Sequence, residues 1–533
     1  MIKKKHMDPS TSATEYDRVP YPSHTHAQTH PDRLAVLGRL FGLDPAPVTR
    51  SRVLEVGCGD GTNLAPMAWT LPGSEFVGLD LASEPIARGL QMTRDLELNN
   101  LRLVQADVTE LDSGWGRFDY IIAHGFYSWV PPKARQHLLK LCGEMLSPQG
   151  IAYVSYNSLP GCHLRNMLRE MLLFHVHRFE SPQERIEQAR ALAQFLTQGP
   201  ESHDPDRIWL KSEAERFLDQ APGLIYHDDL AAINQPLYFT QFITDAQSHG
   251  LQYLAEADFF EMADDLLPEP ARQTLARLGR NRVLREQYLD FLKCRRFRQT
   301  LLCRREAVLL AAPNPEQVAC FLVSSSASAA GAVVDLRQGV NWVFETPKGG
   351  KCQTDLPAGK AALTILGELW PFPMGFDDLT TEVSHRLERA GVGGEAVNSS
   401  RAALGEFLLR LYAGGIVEFR TWLPPVARQP GLRPLVAPVA RWQAAKSEFV
   451  ASLFHIPVKV EDRLGRRILT WLDGHTDRAG LLQKIRQWST DKDSTGDGEQ
   501  GDAKEEHDLE SRLEENLRKL ARLGLLTADE RSM

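Results

Sequence analysis

Apolar positions along the chain fall into two periods, and their alternation predicts the elements. Val53, Leu54 and Val56 form a short run of strand-forming residues. Gly57, Gly59 and Gly61 follow at alternate positions, and a helical spacing then begins near Asn63 and runs through Leu64, Met67, Ala68 and Leu71. The unit recurs. Glu75–Asp80 reads as a second strand, and Ser83 and Pro85 as the N-cap and early-turn proline of a helix reaching Leu98. Leu101–Ala106 and Phe118–His124 are the third and fourth strands. Pro131 and Pro132 start a helix with Leu138, Leu139, Leu141 and Met145 on its stripe; Gly150 closes it, and Ile151–Tyr156 is the fifth strand. Strands alternating with amphipathic helices predict an α/β fold around a parallel sheet.

The flanking segments extend this plan. Pro20 and Pro22 hold residues 16–23 extended, and Leu34, Leu37, Leu40 and Phe41 give an amphipathic helix for the sheet edge. His24, His26 and His30 put no pair on one helix face, so they read as part of a polar strap over the site, with Tyr21 and Ser23 lining it from above. Cys162 to about Gln220 is helical by period and too long for one crossover, so it is an insertion that lids the site or makes a dimer surface. Gly250–Ala257 reads as a returning strand, Ala271–Lys293 as one helix and Phe297–Arg304 as the last strand. The arginines of residues 285–304 read as a solvated helix face and edge strand rather than an anion-binding patch. Residues 307–346 suggest a β-containing linker domain. After it, three helices and a strand occur twice: Ala361–Leu369, Phe376–Leu387, Arg401–Tyr412 and Ile416–Thr421, then Asp462–Leu472, Arg478–Trp488, Leu509–Leu523 and Leu525–Thr527. The repeat predicts two winged-helix-like modules joined by a proline-rich linker, Pro424–Pro438, with Thr490–Asp508 as a disordered loop.

Composition narrows the function classes. A chain of 533 residues exceeds one core, and 43% hydrophobic with 24% charged residues is ordinary for a globular protein. The net charge of −8 disfavours general nucleic-acid binding, and the third helices of the modules carry no dense basic run, so protein scaffolding is expected of them. No apolar run approaches the ~20 residues of a membrane span. The basic start, Met1–Met7, has no apolar stretch behind it, which argues against a secretion signal. Seven scattered cysteines without Cys-x-x-Cys spacing argue against disulfides and a zinc site, and fit a cytoplasmic protein with no metal.

The chemistry concentrates at the strand ends. Glu55-x-Gly57-x-Gly59-x-Gly61 departs from the dinucleotide fingerprint, whose third glycine comes later. It resembles the S-adenosylmethionine loop of class I methyltransferases, whose sheet is Rossmann-like. The resemblance implies a cofactor set of Glu55, Gly57, Cys58, Gly59, Gly61, Asn63, Asp80, Leu81, Asp107, Val108 and His124. Asp80 would accept from the ribose hydroxyls and Asp107 from the adenine amino group, while Glu55 would bond loop amides or meet the methionine ammonium through water. The ends of strands four and five face the methyl group in that superfamily, which places His124, Tyr127, Trp129, Tyr156 and Asn157 around the acceptor.

Val-Pro-Tyr-Pro-Ser, His-Gly-Phe-Tyr-Ser-Trp-Val-Pro, Ser-Tyr-Asn-Ser-Leu-Pro-Gly and Glu-Gln-Tyr-Leu-Asp-Phe narrow this further. They resemble bacterial methyltransferases with a methyltransferase regulatory domain, a group similar to the rickettsial outer-membrane-protein lysine methyltransferases. The expected organisation is a strap and helix over 1–50, the cofactor domain over 51–161, a helical insertion and regulatory region with sheet closure over 162–306, and winged-helix-like domains over 307–423 and 424–533. The resemblance implies a homodimeric enzyme that methylates protein lysine, with Tyr127, Trp129 and Tyr156 as an aromatic acceptor pocket. A small-molecule O- or N-methyltransferase and a catalytically silent cofactor-binding scaffold are the alternatives. The His-Gly-Phe-Tyr end of strand four argues against methylation of a base amine.

Overall fold

The alternating runs assemble into a seven-stranded sheet of order β3-β2-β1-β4-β5-β7-β6 in the computed structural model, which describes residues 14–199, 203–264, 267–329, 331, 333–392, 401–493 and 503–528. Met1–Met7 therefore lies outside the described residues. The strands are β1 (Arg52–Val56), β2 (Glu75–Asp80), β3 (Leu101–Gln105), β4 (Phe118–Ala123), β5 (Leu146–Asn157), β6 (Leu251–Glu256) and β7 (Phe297–Arg304). β1 to β5 run parallel, and β7 is antiparallel to both β5 and β6. Strand order reverses at β1, so a crevice opens where the β1 and β4 carboxyl ends diverge.

Several boundaries differ from the sequence reading. β5 begins at Leu146, not Ile151, and its register with β4 shifts between Phe118 and Tyr120. Gly150 sits in that irregular stretch rather than closing a helix; a Cβ there would lie 3.1 Å from the Asp119 carbonyl. The single helix expected over 271–293 is two, Glu269–Leu278 and Arg282–Lys293, because Asn281 caps the second through Leu284 N–H (2.9 Å). The insertion is three helices, Gly161–Val176, Pro182–Thr197 and Pro205–Leu218, the last two each opened by a capping Ser181 or Asp204 followed by proline. Helix Pro31–Leu40 does not cover the sheet edge. It lies against β5 on one side and the strand Glu418–Arg420 on the other, so both its faces are buried.

Three apolar clusters organise the chain. One spans the main sheet and the segment 318–419 without a break, so the middle module shares the core of the sheet. The insertion, with residues 168–230, and the C-terminal module, with residues 436–526, each have their own. Pro424–Pro438 is not a bare linker: Val426, Leu435 and Val436 bridge to Thr527, Asp473 and Leu526. Helices Arg478–Asp493 and Ala503–Arg522 enter the expected loop from both sides, and only 494–502 lie outside the described residues. No helix among the described residues is long and apolar enough to cross a membrane.

The arginines of residues 285–304 correct the reading most sharply. β7 is an inner strand, flanked by β5 and β6. Arg298 is fully buried on it, with Asp290 at 2.8 Å, Glu256 at 2.5 Å and Glu286 at 3.2 Å, and its guanidinium lies 3.9 Å from the Phe239 ring centre. Arg295 joins the cluster through Asp290 at 3.2 Å. Carboxylates left buried without a cation are costly, so Arg298→Met is expected to destabilise the chain by about 3–5 kcal/mol. Chemical denaturation followed by circular dichroism measures this, and an unchanged midpoint would show that the cluster adds no stability.

Candidate functional site

The crevice at the β1 and β4 ends is the mouth of a cavity of about 1050 Å³. Its floor is the glycine loop. Gly57 has φ 75°, and a Cβ there would come within 2.9 Å of the Phe126 ring. Gly59 has φ 56°, and its Cβ direction meets no atom within 4 Å, which leaves backbone bare toward the cavity. Glu55, Cys58, Asn63, Asp80, Leu81, Asp107 and Val108 line the same space. Gly61 does not; it faces Leu103 beneath the loop.

Two of the carboxylates here, Asp80 and Glu55, have well-defined hydrogen-bond partners. Asp80 accepts Gly59 N–H and Ala82 N–H, both at 2.9 Å. Each oxygen keeps a second lone pair, so the side chain fits a ribose diol. Glu55 is buried, and that burial pushes its carboxyl up to about 8. It accepts from the Asn63 amide at 2.8 Å, not from loop amides, and its buried Oε2 has no partner among the described residues. An orphaned acid beside bare glycine backbone fits the ammonium end of an amino-acid-bearing nucleoside.

Asn63 ties four segments together. Its Oδ1 accepts His26 N–H and the His455 ring, both at 2.9 Å. Its Nδ2 donates to Glu55 and, at 3.0 Å, to Thr29. His455 belongs to the C-terminal module, 392 residues away in the chain, and nothing in the sequence pattern marks it.

The strap lies over the cavity through Tyr16, Tyr21, Ser23, His24 and His26. Asp17 fastens one end by accepting Glu84 N–H at 2.8 Å, which supplies the helix cap expected of Ser83. The Tyr16 ring stacks on His227 of the insertion at 4.1 Å, and the Tyr226 hydroxyl donates to Glu15.

Of the five residues placed around the acceptor, three line the cavity and two do not. His124, Trp129 and Asn157 face it. Tyr127 and Tyr156 are wholly buried, packed on Phe242 at 5.2 and 4.2 Å, and Tyr156 bonds Thr300 at 3.1 Å. Alternation along β5 puts Tyr153, Ser155 and Asn157 on the site face and turns Tyr156 away. Besides Tyr16 and Tyr21 of the strap, the aromatic lining comes instead from Phe126, Trp129, Phe217 and Phe297. His124 has the partner it lacked in the sequence: Tyr153 donates to Gln299 (2.7 Å) and so accepts from His124 Nδ1 (2.8 Å). Burial lowers this imidazole to about 4, and the His26 ring above it, at 3.8 Å, to about 2. The far wall brings in Arg165, Glu213, Arg216, Asp228, Asp229 and Arg296, none of which the sequence reading placed at the site. Their one signal is an acidic pair, Asp228-Asp229, in a stretch without helical period.

Comparison with known proteins agrees with this geometry. Residues 54–152 match the family model "Methyltransferase domain", residues 221–304 "Predicted methyltransferase regulatory domain" and residues 433–525 "PKMT, C-terminal winged helix domain". An uncharacterized protein of Rickettsia prowazekii (strain Madrid E) is 32% identical over 480 residues, 88% of this chain and 85% of its own. A second one is 38% identical over 255 residues, 48% of this chain and 100% of its own. Two solved structures of PKMT2 from Rickettsia typhi, one in complex with AdoHcy, superpose with a TM-score of 0.84 at 28% identity, over 95% of this chain and 100% of theirs. A glycine-floored crevice at the switch point, two strand-end acids and these relatives lead to one assignment: the chain belongs to the class I S-adenosylmethionine-dependent methyltransferases that carry a methyltransferase regulatory domain, similar to the rickettsial PKMT group.

Proposed function

We propose that the chain methylates lysine side chains of a protein substrate. The full-length likeness to PKMT2 carries this reading. The cavity supports it: about 1050 Å³ slightly exceeds the ~300–1,000 Å³ of small-ligand pockets, and the lining continues from the glycine loop into the insertion. That space suits a nucleoside cofactor and an inserted side chain together. In this reading Gly57 and Gly59 take the methionine end, Asp80 the ribose and Asp107 with Val108 the adenine. S-adenosylmethionine supplies a methyl group made electrophilic by its sulfonium sulphur.

The remaining work falls to the chain. A free lysine, with a pKa of ~10.4, arrives charged and must give a proton to solvent water before its nitrogen is nucleophilic. Phe126, Trp129 and Phe297 offer ring faces to the cation, and their apolar surroundings lower its pKa. Asn157 is held by Asn234 at 2.9 Å and presents a fixed amide at the end of β5. His124 acts as a wall, because an imidazole near 4 is too weak a base. Catalysis then rests on orientation.

Asp80→Ala is expected to weaken AdoHcy binding by about a hundredfold, from two lost charge-assisted hydrogen bonds; calorimetry giving an unchanged affinity would refute the assignment. Glu55 is protonated at neutral pH in the free protein, and an approaching ammonium favours its anion. At about pH 7, AdoHcy binding should therefore release close to one proton, read as a binding enthalpy that varies with the buffer. Glu55→Gln should bind without that release, and equal release from both proteins excludes Glu55 as its source. Tritiated methyl transfer into a cell lysate tests the acceptor: label in lysine of the protein fraction is expected, and label confined to small molecules overturns the lysine reading.

A further inference from the structure

The insertion and the stretch behind it contribute three carboxylates to the cavity wall, Glu213, Asp228 and Asp229. Two are matched by arginine. Glu213 pairs with Arg216 at 2.7 Å and Arg296 at 2.8 Å. Asp229 accepts from Arg165 Nε and Nη2 at 2.9 and 2.8 Å. Asp228 forms no ion pair among the described residues, and its carboxylate faces the Tyr21 hydroxyl of the strap. Burial raises Asp228 to about 6, with Arg165 opposing the rise and Asp229 adding to it, so it is ionised at slightly alkaline pH.

The rings around it are held in place. Tyr16 stacks on His227 with 6° between the planes, and Tyr21 meets His227 edge-on at 5.8 Å. Both tyrosines line the cavity beside Asp228. A carboxylate without a direct ion pair, bonded to Tyr21 and flanked by aromatic rings, complements an alkylammonium in charge, hydrogen bonding and cation–π attraction. It gives an alcohol no charge attraction.

We propose that Asp228, with Tyr16 and Tyr21, forms the site that first receives the acceptor's primary ammonium group, before that group sheds its proton among Phe126, Trp129 and Phe297. The inference rests on the lysine reading and names the residues that select a cationic nitrogen over an oxygen nucleophile. Anchor and glycine loop line one cavity, and the acceptor chain enters it past the strap.

The test uses the full chain saturated with AdoHcy, titrated with n-butylammonium or with n-butanol of nearly equal size, and followed by ligand-observed NMR. Wild-type protein is expected to prefer the cation by roughly tenfold or more, the scale of one charge-assisted hydrogen bond. Asp228→Asn should abolish that preference while binding AdoHcy with unchanged affinity, which also reports that the variant is folded. No preference in the wild type, or a preference surviving in Asp228→Asn, overturns the proposal. Loss of AdoHcy affinity in the variant overturns it as well, by placing Asp228 in the cofactor site. A wild type that prefers the cation but labels no protein in the lysate overturns the lysine reading and leaves the anchor standing.

Discussion

One side-chain amide holds the site in register. Asn63 has two donors and two acceptor lone pairs, and all four are used, by Glu55, Thr29, His26 and His455. Those partners come from β1, the strap and the C-terminal module. The glycine loop ends at Asn63, so its backbone is fixed by contacts from three separate parts of the chain. His455 reaches the amide from a left-handed backbone, φ 62°, a conformation that a non-glycine residue keeps only when its surroundings demand it. The imidazole must carry its proton on Nε2 to donate, and its burial keeps the ring neutral.

Buried charge does the same task elsewhere. Arg298 and its three carboxylates join β6, β7 and helix Arg282–Lys293 inside the regulatory region. Asp32, fully buried, accepts Thr421 N–H and Oγ1–H at 2.7 Å and lies 3.5 Å from Arg420. Neither group gains much free energy from pairing, since desolvation opposes it. Each makes any other arrangement of those elements costly. Helix Pro31–Leu40 is therefore set between the main sheet and the middle module by chemistry as well as by its apolar faces.

The α/β plan was legible because strands buried on both faces leave long apolar runs and glycine marks the turn between them. Asp80 and Asp107 were legible because they stand where successive strands end, and Glu55 because it sits inside the strand that leads into the glycine loop. Tyr127 and Tyr156 were misplaced because aromatic type was weighed above position. Gly125 turns the chain after β4, which brings Phe126 over Gly57 and sends Tyr127 into the core. The β5 alternation was readable and would have excluded Tyr156. Arg298 misled in another way: a run of arginines looks solvated unless its acids are seen, and Glu256 lies 42 residues before it. The far wall, Asp228 included, was invisible because tertiary packing of the insertion alone brings it to the cavity.

The pairing of Asp32 with Thr421 also has a meaning in time. The two are 389 residues apart. At translation rates of ~5–20 residues per second, that distance is roughly 20–80 s of synthesis. During that interval the Asp32 carboxylate has been made and its partner Thr421 has not. The contact of this helix with the middle module is thus a late event, although the helix residues are made early.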